Sequence, residues 1–240
     1  MENQNTTPTE IIELPSKGIF YPEGNPLSSG KIEIKYMTAY HEDLLTNQNY
    51  IKQGIVLDKL LQSLIVTKIN YDDLLLFDKD ALLIGDRILG YGGEYSFKWG
   101  GEIITVDLSK LENKPIDEQS KGKNEFSFKL PHTGIELKYK MLTVGDEKKI
   151  QQELEGFKKL NQNPEMLVRL KHMIISVNGS VDKQNIRDFI EKQFLARDSS
   201  AFREHLKKTQ PGVDLTFENS LGEKHQIPIG VNFFWPESGL

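Results

Sequence analysis

The sequence predicts an α+β protein of two approximately duplicated lobes, each with helices packed against small antiparallel β-hairpins or sheets. Three observations predict it: apolar residues recurring at helical spacing, alternating runs bounded by Gly and Pro, and a similar order of letters on both sides of a polar central stretch. Strands separated by helical clusters speak against a doubly wound parallel sheet. Residues 1–13 read as a disordered or extended tail, 14–109 as the first lobe, 110–125 as a polar linker around Pro115 and Gly122, and 126–240 as the second lobe.

In the first lobe, Lys31 to Met37 alternates as a strand. Leu57, Leu60, Leu61, Leu64 and Ile65 line one face of a helix within Gly54 to Thr67. Asp78 is placed to cap the next helix, which carries Leu82, Leu83, Ile84, Ile88 and Leu89 and stops at Gly90, Gly92 and Gly93. Tyr95 to Trp99 alternates, Gly100-Gly101 turns, and Glu102 to Leu108 returns as a hairpin partner.

The second lobe opens with a hairpin, Phe126 to Leu130 and Ile135 to Met141, around the Pro131 to Gly134 turn. Helices follow from Val144 to Leu160 and from Pro164, the latter with Leu167, Leu170, Ile174 and Val177 on one stripe before Asn178-Gly179. Asp182 caps a helix carrying Ile186, Phe189, Ile190 and Phe194, and Asp198 caps another carrying Phe202 and Leu206 before Pro211-Gly212. Val213 to Phe217 and Lys224 to Ile229 form the closing hairpin.

The duplication rests on letters and order together. Leu14-Pro15-Ser16-Lys17-Gly18-Ile19 reads against Leu130-Pro131-His132-Thr133-Gly134-Ile135, and Ile32 to Tyr36 reads against Ile135 to Tyr139. Thr38 precedes Glu42 as Thr143 precedes Glu147, and Asp80 to Phe97 aligns without a gap on Asp198 to Leu215.

Composition narrows the function classes. With 240 residues, 38% hydrophobic and 27% charged, the chain can bury a core. It has no cysteine, which removes disulfides, thiol nucleophiles and thiolate metal sites and fits a reducing compartment. No apolar run is long enough for a membrane span and Met1 to Glu10 lacks a secretory pattern, so an intracellular product is expected, without membrane contact. A formal charge of −5 argues against nucleic acid as a partner. His41, His132, His172, His205 and His225 fall at no metal-ligand spacing, and Gly90-Tyr91-Gly92-Gly93 follows a helix, the reverse of a phosphate loop. No catalytic residues, cofactor or metal are therefore expected, although an enzyme whose site assembles from scattered residues stays open as an alternative.

Two segments carry candidate contacts. Leu14 to Leu27 holds three prolines and two glycines among Ile19, Phe20 and Tyr21, an extended arm that must bury its apolar groups along a surface, its own or a neighbour's. Phe233-Phe234-Trp235 near the carboxyl terminus is either clamped onto its own domain or anchors an interface. Leu14, Ile19, Phe20, Tyr21, Phe233, Phe234 and Trp235 are the candidate partner-binding residues.

As a set, Leu14 to Pro22, Gly30 to Ile34, Met37-Thr38 with Glu42-Asp43, the Leu57 to Ile65 helix, and Asp86-Arg87-Ile88 with Tyr91-Gly92 and Tyr95 resemble the baseplate hub proteins of T-even-like contractile-tailed bacteriophages. Asn178-Gly179, Asp188-Phe189, Pro211 to Leu215 and Phe233 to Trp235 are similar to related tail-assembly proteins. Some relatives carry cysteine pairs in hairpins where this chain has Trp99-Gly100-Gly101-Glu102 and Asn219-Ser220-Leu221-Gly222, so a metal ribbon is not implied here. The resemblance implies a non-enzymatic protein, either built into the baseplate hub or a transient chaperone absent from the mature virion. Its partners would be other tail and baseplate proteins, with further copies of itself in a symmetric assembly. It would be found in the host cytoplasm during assembly and in the virion tail.

Overall fold

A computed structural model describes residues 7–116 and 122–234. Strands β1 (Thr9–Glu13) and β2 (Lys31–Lys35) pair antiparallel with Ile12 opposite Ile32, so residues expected in the amino-terminal tail join a sheet. The arm between them folds back on itself. Gly18 (φ 76°) and Gly30 (φ 69°) both hold left-handed backbone, and a Cβ on Gly30 would stand 2.7 Å from the Lys17 carbonyl.

Helices α1 (Ala39–Leu45), α2 (Gln48–Lys52) and α3 (Val56–Leu64) follow. The Leu60, Leu61 and Leu64 stripe of α3 is fully buried, as its spacing predicts. The helix ends before Ile65, which leaves helical geometry and bridges to Ile34 beside β2. Helix α4 (Leu76–Tyr91) then runs through the protein, buried on most sides through Phe77, Leu82, Leu83 and Ile84. Asp78 does not cap it. Leu75 occupies that position with extended backbone, and Asp78 is the third helical residue, free to bond elsewhere. Hairpin β3 (Glu94–Trp99) and β4 (Glu102–Asp107) closes this half with Phe97 opposite Ile104.

Beyond the central polar stretch, β5 (Phe126–Lys129) and β6 (Glu136–Tyr139) form the expected hairpin. Helix α5 (Val144–Lys158) opens with a capping box in which Thr143 accepts from the Asp146 amide. Helix α6 (Glu165–Met173) is shorter than its apolar stripe suggests. Ile174 and Val177 belong instead to β7 (Ile174–Val177), which pairs antiparallel with β6 and makes a three-stranded sheet. Their spacing also fits a helix, but the β-branched run Ile174-Ile175 sits beside an open strand edge, and pairing there satisfies its backbone. Asp182 caps α7 (Lys183–Lys192) by accepting from Asn185 N–H. Helix α8 (Ala196–Thr209) starts after Leu195, so Asp198, like Asp78, is a third helical residue and not the cap. The closing hairpin is shorter than expected, β8 (Thr216–Glu218) with β9 (Lys224–Gln226).

The result is an α+β architecture with eight helices and several small antiparallel sheets among the described residues. One hydrophobic cluster extends from Leu14 to Phe234 and includes residues from both sides of the central stretch. Leu75 bridges to Thr143, Leu76 N–H donates to the Leu142 carbonyl, and Lys114 N–H donates to the Gly212 carbonyl. Part of the stretch expected to be a solvated linker is therefore tied to the second half.

Candidate functional site

The arm reaches α4 through one carboxylate. Asp78 accepts from Ser16 N–H at 3.0 Å and from the Tyr21 hydroxyl at 2.6 Å, while Tyr21 Oη accepts from Leu75 N–H at 3.0 Å. Burial pushes the Asp78 carboxyl up to about 6, although the Tyr21 and Ser16 donors oppose the shift. Burial and the neighbouring Asp78 charge raise the Tyr21 phenol well above its ordinary range, so the phenol stays protonated and donates. In the second half another carboxylate holds a turn by the same kind of bond. Asp198 accepts from His132 N–H at 2.9 Å, Thr133 N–H at 3.1 Å and Thr133 Oγ1 at 2.8 Å. Burial works against its charge, yet these donors prevail and hold its carboxyl below the usual range.

Further along α4, Arg87 is 2% exposed and spends its donors on three carbonyls: Phe233 at 2.9 Å, Gly92 at 3.0 Å and Glu94 at 3.2 Å. Its guanidinium lies 5.1 Å from the Tyr91 ring centre and 5.8 Å from that of Tyr95. Burial lowers its pKa, and Tyr91 and Tyr95 oppose that shift. The Phe233 bond fixes the short helical turn Val231–Phe234 against the first half, where the Phe233 ring meets Tyr95 edge-on at 4.8 Å. Next to Arg87, Asp86 is fully buried and neither carboxylate oxygen has a hydrogen-bond partner among the described residues; burial raises its pKa to about 8.

The candidate contact residues thus face inward. Leu14, Phe20, Tyr21, Phe233 and Phe234 are all buried, Phe20 packing between Phe77 and Phe126, and they leave no surface for a neighbour to cover in this fold. Ile19 is half-buried against the same core, and Trp235 lies outside the described residues. Arm and carboxyl-terminal turn do not meet at one patch; each is joined to α4 at its own position. The roles of Asp86 and Arg87 do not follow from local sequence, and Asp78 holds the arm where its position suggests a helix cap. The signal available was a charged pair inside an otherwise apolar helical run.

The hairpins β3–β4 and β8–β9 lie against each other. Phe217 meets Phe97 at 5.0 Å and Trp99 at 5.6 Å, His225 tilts onto Trp99 at 5.0 Å, and the Ser220 hydroxyl donates to Glu102. Beside that last bond, Ile103 and Leu221 are 66% and 79% exposed, apolar side chains at paired hairpin tips. Among the described residues, no group of three or more His, Asp or Glu side chains is arranged to hold a metal ion, and no helix is long and apolar enough to cross a membrane.

Comparison with family models, with curated proteins and with solved structures finds no match.

Proposed function

We propose that the chain is a structural or assembly protein of a contractile phage tail baseplate hub, working without catalysis through contacts with other tail proteins, and that its two halves derive from one duplicated unit. One observation carries the reading. The letters that resemble the hub proteins are neighbours in space around α4: Ser16 and Tyr21 on Asp78, and Arg87 on the Gly92 carbonyl between Tyr91 and Tyr95. These residues maintain a shape, which is what a protein that acts by docking requires.

The duplication is supported by the Leu-Pro-x-x-Gly turns, each placed between antiparallel strands and each donating to the third residue of a later helix, Asp78 or Asp198. This correspondence shifts the Asp80–Asp198 alignment by two residues. In both halves a helix also enters after a threonine capping box, Thr38 or Thr143, and an isoleucine following a helix pairs back to the sheet, Ile65 or Ile174.

Mass spectrometry of purified particles, combined with deletion of the gene, tests the function. Presence in the particle and loss of tails on deletion is expected for a built-in subunit. Tail loss without presence would make the chain an assembly chaperone. Normal particle yield and morphology after deletion would remove the phage-assembly reading altogether.

A further inference from the structure

We propose that a cleft in the second half, walled by α5, α6, β7 and α7, binds an acidic peptide segment of a partner protein that also carries an apolar side chain. The cleft has a volume of about 460 Å³. Five cations line it, Lys140, Lys149, Lys171, Lys183 and Arg187, against two carboxylates, in a chain whose formal charge is −5. Part of that charge is already spent: Lys140 bonds Asp146 at 2.6 Å, Lys171 pairs with Glu191 at 2.8 Å, and His172 faces Glu153 at 3.2 Å.

Lys149, Lys183 and Arg187 are exposed and form no ion pair or hydrogen bond among the described residues. Three cations from two helices therefore line one concave surface, Arg187 within electrostatic reach of Asp188 and Glu191 on its own helix but bonded to neither. The surface beneath is apolar. Ile174 and Ile186 are buried at the back, and Val181 at the entrance is 73% exposed. Cations above an apolar floor complement a peptide that alternates carboxylates with an aliphatic side chain.

The same features disfavour a nucleic-acid strand. The lining has no Phe, Tyr or Trp on which a base could stack. The site does not depend on the baseplate reading: it would stand if particles were found to lack the chain, and its loss would leave the particle experiments unchanged.

The test is fluorescence anisotropy with the full chain and a labelled synthetic peptide alternating glutamate and leucine, with a labelled single-stranded oligonucleotide as a second probe. Saturable peptide binding is expected, weakening with added salt and falling about tenfold or more when Lys149, Lys183 and Arg187 are all changed to Glu. The neutral variant Lys149→Gln, Lys183→Gln, Arg187→Gln should show an intermediate loss and covers the case in which charge reversal disturbs the fold, checked by circular dichroism. Reversing Lys52, Lys59 and Lys68, outside the cleft, should have little effect. Absence of peptide binding, equal binding by the cleft variants, or tighter binding of the oligonucleotide would each overturn the proposal.

Discussion

Asp86 places a carboxyl group in the core with no donor for either oxygen among the described residues, and the energetic consequence has a definite sign. Its folded pKa of about 8 lies far above that of an ordinary aspartate, so the folded protein holds the proton more tightly than the unfolded chain. The associated stability is fully present below the unfolded pKa and is lost as pH rises towards the folded one. Asn has the same shape and no charge, so Asp86→Asn should match the parent near pH 4 and exceed it by about 5 kcal/mol at pH 8. Urea denaturation at the two pH values measures this, and an equal difference at both would show that Asp86 does not titrate as described. Asp78 makes the contrasting case, because it is buried with its donors in place. Asp78→Ala would leave Ser16 N–H without an acceptor and the Tyr21 hydroxyl without its carboxylate, costing about 2–4 kcal/mol by denaturant midpoint. A loss under 1 kcal/mol, on the order of one ordinary hydrogen bond, would mean that the arm is not held by this carboxylate.

At the scale of elements, α4 organises the chain: the arm joins it at Asp78, and the carboxyl-terminal turn joins it at Arg87. Phe233 sits at 0% exposure between Tyr95 and Phe234, so Phe233→Ala should destabilise the whole protein by about 3–5 kcal/mol, read by the same denaturation. A drop confined to the last residues, with the global midpoint unchanged, would make the turn a loose appendage. These attachments were the least legible part of the sequence. The stripes of α3 and α7 and the turn at Gly100-Gly101 could be read because their information is local. β7 could not, since Leu167, Leu170, Ile174 and Val177 keep helical spacing while the chain passes from helix to strand. Asp78 and Asp198 look like caps from local sequence alone. Their donors, Ser16 and His132, lie more than sixty residues away in the chain, beyond the reach of any local rule.

Across the whole molecule, the two halves recognised in the sequence share packing that either one alone would lack. Phe20 meets Phe126 at 5.3 Å, Phe97 meets Phe217 at 5.0 Å, and Lys114 N–H donates to the Gly212 carbonyl at 2.8 Å. Lys148 also pairs with Asp72 across the same boundary. Separating the halves would turn Phe217 and Phe233 out of aromatic contacts and expose the backbone groups bridged at Leu75 and Thr143. The full chain should therefore unfold in a single transition whose calorimetric and van't Hoff enthalpies agree. A fragment beginning at residue 126 should lack a cooperative transition and bind a hydrophobic dye, because the surfaces it has lost are apolar. Two resolved transitions, or a cooperatively folding fragment, would show that the halves are energetically separate and that their shared aromatic contacts add little. One transition would mean that a partner docking on the second half binds a unit whose main core is shared with α4 and the arm.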